Sequence, residues 1–128
     1  MNIKLIILTG IILFSIDYIF ITSFFGNEYN TLIKDIQKSK MEVNYFSAMI
    51  AYIFLIGVIY YFIIKERKSV VDSAILGSSI YGIYAWTIHA LLKNWSFKIA
   101  FIDTIWGGIL FGLTTLALQY IEGVYLKR

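Results

Sequence analysis

The sequence contains no cysteine and no proline, a single histidine, and only 15% charged residues. Each shortage excludes something. Without cysteine there is no disulfide framework, thiolate metal site or cysteine nucleophile. One histidine cannot build a multi-histidine metal centre within one chain. Without proline, a helix kink must come from glycine, from serine or threonine, or from a π-bulge. Nineteen charged side chains, 11 basic and 8 acidic, are too few to cover a soluble fold of 128 residues. A net charge of +3, dispersed along the chain, forms no basic cluster of the kind nucleic acid requires.

What is present is apolar. Hydrophobic residues make up 59% of the chain, against about 45–50% in ordinary globular proteins. They gather in four runs, at about 5–25, 43–64, 70–92 and 98–121. About 20 apolar residues span the hydrocarbon of a bilayer as a helix. The runs are too long for strands and do not alternate as a membrane barrel would. The expected fold is therefore all-α: a polytopic membrane protein with four transmembrane helices in one compact bundle, a single domain over residues 1–128. The first run carries an acid and no small-residue cleavage site follows it, so it reads as a retained helix rather than a signal peptide.

The longest connection, residues 26–42, holds Tyr29, Leu32, Ile33 and Ile36 at helical spacing, with Lys34, Asp35, Gln37 and Lys38 on the other side. That pattern suits a short interfacial helix over about 29–38. The other two connections are short and force antiparallel hairpins. An even number of spans puts both termini on one side. That side carries Lys4, Lys65, Arg67, Lys68, Lys127 and Arg128, against Lys34, Lys38, Lys40, Lys93 and Lys98 opposite. The dense group at 65–68 favours cytoplasmic termini. The expected partners are the lipid bilayer and, beyond it, further copies of the chain or other membrane proteins, with no nucleic acid and no cofactor.

Three ionisable residues fall within the runs. An ionised Asp17 deep in the first would cost about 2.5–3.5 kcal/mol, so it should face the bundle and be protonated or paired. Asp103 lies near the start of the fourth run and His89 near the end of the third. A hairpin centred near residues 95–96 would bring His89 level with Asp103, in the same half of the membrane as Asp17. The three would form one polar cluster able to hold a proton or cation, supported by Tyr84 and Thr87. Small residues suggest how the helices meet. Ala74, Ser78 and Gly82 recur every fourth residue in the third run, and Gly108 and Gly112 form G-x-x-x-G in the fourth. The same hairpin would set Gly82 against Gly108 and Ser78 against Gly112.

No nucleophile elbow and no phosphate-cradling loop is present, so catalytic residues are not expected. Two functions fit. One is a small transporter or channel linked to protons or cations, with Asp17 as its intramembrane acid. The other is a non-catalytic structural or assembly protein that scaffolds partners or a membrane layer.

Several spaced motifs carry a family resemblance. Asp17 with Phe20 is similar to a D-x-x-W in the first helix, with Phe for Trp. Tyr52 and Gly57 match a Y…G spacing in the second. Gly77, Tyr81, Gly82, Tyr84 and Thr87 are similar to a G…YG-x-Y-D-x-T-N pattern in the third. Trp95 matches a loop Trp, and Asp103-Thr104-Ile105-Trp106-Gly107 a D-x-x-W-G in the fourth. On these residues the chain resembles the small bacterial membrane proteins called domain of unknown function 2177. The resemblance implies a four-helix membrane protein and assigns no activity. Two polar positions of the pattern, an Asp and an Asn, fall on Ala85 and Ile88 here.

Overall fold

The computed structural model describes residues 2–122, which are mostly helical and contain no strand. The elements are α1 (Ile3–Phe20), a π-helical turn (Ile21–Phe25), α2 (Gly26–Gln37), α3 (Tyr45–Ile59) running into a second π-helical turn (Tyr60–Ile64), α4 (Val70–Leu91) and α5 (Phe97–Glu122). Among the described residues, three stretches are long and apolar enough to cross a membrane: Ile3–Ser23, Tyr45–Ile64 and Phe97–Ile121. α4 has 22 residues, a length of about 33 Å at 1.5 Å per residue. Asp72, Ser73, Gly77, Ser78, Ser79 and Gly82 dilute its apolar content. Asn2, Asn44, Ser69 and Ser96 open α1, α3, α4 and α5 by accepting from backbone N–H groups three residues on, where a helix start leaves donors unpaired.

α5 is the central element. α4 lies against it as an antiparallel hairpin, α1 packs on α5 and α3 on α1. The hairpin is close because two glycines meet. A Cβ on Gly77 would stand 2.2 Å from the Gly107 carbonyl oxygen, and one on Gly107 would stand 2.4 Å from that of Gly77. Hydroxyls then stitch the pair. Ser78 donates to the Thr104 carbonyl at 2.9 Å, Ser73 to the Phe111 carbonyl at 3.0 Å, and Thr115 to the Ser73 hydroxyl at 2.6 Å. In an apolar medium such bonds hold helices where hydrophobic burial alone gives little preference.

This register differs by one turn from the expected one. Gly108 faces Ala74 and Ser78, Gly112 faces Ala74 and Val70, and Gly82 faces Thr104. The stripes do pack on α5, but Gly82 does not meet Gly108, and Ser78 does not meet Gly112. The cause lies in the turn. α4 stops at Leu91, Leu92 is extended, and Ser96 already caps α5, which moves the centre of the hairpin toward residue 93.

The segment after α1 also differs from expectation. Helix begins at Gly26 rather than near residue 29 and joins α1 through the π turn, leaving no loop between them. With no proline to stop it, the helix absorbs an extra residue per turn instead. A Cβ on Gly26 would lie 2.6 Å from the Ile21 carbonyl oxygen. Gly26→Ala is therefore expected to disrupt the turn and lower stability by about 1–3 kcal/mol, read as the chemical-denaturation midpoint in detergent. At the opposite end the Asn2 N–H donates to the Tyr60 hydroxyl at 3.0 Å, tying the start of α1 to the second π turn.

Candidate functional site: two carboxylates in an aromatic frame

Asp17 is 6% exposed, and two side chains from two other helices saturate its carboxylate. The Trp106 indole N–H donates to Oδ1 at 2.9 Å, and the Tyr52 hydroxyl donates to Oδ2. Phe20, one turn along from Asp17, stacks on Trp106 with centroids 3.9 Å apart and planes 10° apart. Phe14 meets the Tyr52 ring edge-on at 5.3 Å. Rings thus close off the carboxylate and fix both donors. No lysine or arginine joins it among the described residues, so N–H and O–H dipoles do the work a counter-ion would otherwise do.

Asp103 is also 6% exposed, and its only hydrogen bond among the described residues comes from the Tyr29 hydroxyl at 3.4 Å. The Tyr29 oxygen lies 3.3 Å from that of Tyr84, whose side chain reaches the outer surface. Asp103 sits six residues into α5, and Asp17 six residues before Ser23. Each is therefore about 9 Å from the same end of the apolar layer. The two carboxylates lie within electrostatic reach of each other, and Tyr81 of α4 lies within reach of both.

α2 covers this end. Tyr29, Leu32, Ile33 and Ile36 pack on Phe25, Trp95, Ile99 and Ala100, and an exposed Glu28–Lys98 pair at 3.5 Å tethers its rim. Trp95, in the turn between α4 and α5, is buried beneath Tyr29, ring centroids 5.7 Å apart, and its indole N–H has no partner among the described residues. Burial raises the Tyr29 phenol pKa well above its ordinary value, with Tyr84 and Asp103 adding to the effect. Tyr29 therefore remains a neutral donor across the working pH range.

The structure puts Asp17 and Asp103 within electrostatic reach of each other but leaves His89 out. The shifted register sets His89 beside Phe97 and Trp86, ring centroids 6.0 and 5.5 Å apart, about six residues nearer the loop than the level of Asp103. His89 makes no hydrogen bond to either carboxylate among the described residues. Thr87 is exposed and makes no hydrogen bond to the cluster, whereas Tyr84 reaches Asp103 through Tyr29. Sequence reasoning missed Tyr52, Trp106 and Tyr29 as partners. One available signal was the i, i+3 spacing of Asp103 and Trp106, which puts both on one helix face. Ala85, where the resemblance has an acid, is 1% exposed and packs among Trp95, Ile99 and Ala100. No group of three His, Cys, Asp or Glu side chains suited to a metal ion occurs among the described residues.

Removing the Tyr52 hydroxyl tests how this frame is shared. Tyr52→Phe should cost about 1.5–3 kcal/mol, the range for a bond to a charged group. The same substitution in an Asp17→Asn background should cost less, and equal costs in the two backgrounds would show that the bond contributes nothing.

No curated protein and no solved structure matches the chain. The sequence model of one family matches residues 2–120, and that family is described as predicted membrane protein (DUF2177). Several residues carrying the earlier resemblance are gathered here: Asp17, Phe20, Tyr52, Tyr81 and Trp106 around the first carboxylate, Asp103 and Tyr84 around the second, and Gly77 against Gly107, while Gly57 and Thr87 stand apart. The chain belongs to the DUF2177 family of membrane proteins.

Proposed function

We propose that the protein is a four-span membrane protein whose Asp17–Asp103 pair binds and releases protons, as part of a small proton-linked transporter or channel. The observation carrying this reading is a pair of buried carboxylates, within electrostatic reach of each other, with no cationic partner among the described residues. Two carboxylates that feel each other in a poorly polar medium resist double ionisation, so a proton is the simplest ligand to relieve them. The surrounding chemistry favours a proton over a metal ion. Trp106 can only donate, and a donor N–H aimed at the site repels a cation. Tyr52 can adapt: its hydroxyl donates to an ionised Asp17 and can turn to accept from a protonated one.

The length of α4 and its antiparallel pairing with α5, where Ser73 and Ser78 bond to α5 carbonyls, support treating it as the fourth span. The chain has no cysteine, so topology can be read from single introduced ones. Cysteine at Glu66 and cysteine at Asn94 should label from opposite sides of the membrane. Labelling from the same side would remove the fourth span. Cytoplasmic termini, favoured by the basic group at 65–68, would place Glu66 on the cytoplasmic side.

The direct functional test is pH-gradient-driven proton flux in liposomes. Wild-type protein should carry flux, and Asp103→Asn and Asp17→Asn should each reduce it by tenfold or more. An absence of flux under every gradient tried, with folded protein in the vesicles, would favour a non-catalytic scaffold.

A further inference from the structure

The two carboxylates are not equivalent. Asp17 is held by Trp106 and Tyr52, donors carried on α5 and α3, while Asp103 has one long contact from an element at the edge of the fold. That element, α2, has no fully buried residue. It rests on the bundle through the side chains of Tyr29, Leu32, Ile33 and Ile36 and the exposed Glu28–Lys98 pair. The π turn Ile21–Phe25 joins it to α1, and at Gly26 the backbone passes too close to the Ile21 carbonyl for a side chain. Interrupted helices of this kind bend at the interruption. We propose that α2 is a lid over Asp103, hinged at the π turn, and that Tyr29 on its inner face governs proton access to that carboxyl.

The inference rests on reading Asp103 as a proton site. With the lid down, Tyr29 donates to Asp103 and keeps water from it. Lifting α2 withdraws the hydroxyl and uncovers the end of the bundle near Trp95. A hydronium ion then gives its proton to Asp103, forming the carboxyl O–H bond and leaving water behind. The groups facing Asp103 are Tyr29 from α2, Tyr84 and Tyr81 from α4, and Asp17 from α1. Tyr29 stays a neutral donor, and the second carboxyl within electrostatic reach of Asp103 is that of Asp17.

Labelling with dicyclohexylcarbodiimide, which adds to protonated carboxyls in apolar surroundings, tests the lid without measuring transport. In reconstituted full-length protein, mass spectrometry should find Asp103 modified and Asp17 not. The double variant Glu28→Cys with Lys98→Cys, joined by a short bis-maleimide, pins the lid. Asp103 labelling should fall tenfold or more relative to the same variant capped with N-ethylmaleimide. Tyr29→Phe, unpinned, should raise it severalfold. Equal labelling in the pinned and capped proteins would overturn the lid, as would labelling of Asp17 in preference to Asp103. Lid-dependent labelling without proton flux would remove the transport reading and leave the lid standing. Flux with labelling that ignores the pin would do the reverse.

Discussion

Gly107→Ala is expected to destabilise the protein by about 3 kcal/mol or more, a large cost for one methyl group. The added Cβ would stand 2.4 Å from the Gly77 carbonyl oxygen and 2.5 Å from the Tyr81 Cβ. Backbone cannot swing aside as a long side chain can, so α4 and α5 must separate. Separation would lengthen the Ser73 and Ser78 bonds to α5 carbonyls and shift Trp106, the next residue to Gly107, away from Asp17. The other glycines form a graded control. A Cβ at Gly108 meets the Ala74 carbonyl oxygen at 3.1 Å, one at Gly82 meets the Thr104 methyl at 3.3 Å, and one at Gly57 meets nothing within 4 Å. Gly57→Ala should be neutral or stabilising by about 0.5–1 kcal/mol through helix propensity. Denaturation in mixed micelles should rank the variants Gly107, Gly108, Gly82, Gly57 from most to least damaging. A flat ranking would show that α4 and α5 do not approach closely.

The second large effect is expected at Asp17. Asp17→Leu removes the acceptor for both Trp106 and Tyr52 and leaves a buried N–H and O–H unpaired in an apolar frame. At about 1–3 kcal/mol for each orphaned group, the total loss should be about 2–6 kcal/mol. Asp17→Asn should be milder, because an amide oxygen can still accept from Trp106. Adding Trp106→Phe and Tyr52→Phe to Asp17→Leu should recover part of the loss by removing the orphans. Failure of the triple variant to regain stability would mean that Asp17 is not the hub of this contact.

The apolar runs were legible because membrane spans announce themselves by length and composition, and three of them emerge as helices suited to crossing a bilayer. Asp17 could be singled out because an acid has few explanations in such a run. Its partners could not, since Tyr52 lies 35 residues away and Trp106 lies 89, and no local rule links residues so far apart. The fate of His89 turned on the centre of a five-residue turn. Six residues, between one and two helical turns, separate Asp103 from the Phe97 on which His89 packs, and the capping at Ser96 and the stop at Leu91 decide between the two registers. The α2 face was visible as an amphipathic stripe, but its use was not: Tyr29 looked like part of an interfacial surface and instead reaches Asp103.

Infrared difference spectroscopy of the reconstituted protein across a pH titration tests most directly whether the carboxylate pair exchanges a proton. A protonated-carboxyl band is expected to appear as pH falls, persist in Tyr52→Phe and disappear in Asp103→Asn. A spectrum with no titrating carboxyl band, or one that survives unchanged in Asp103→Asn, would contradict this expectation.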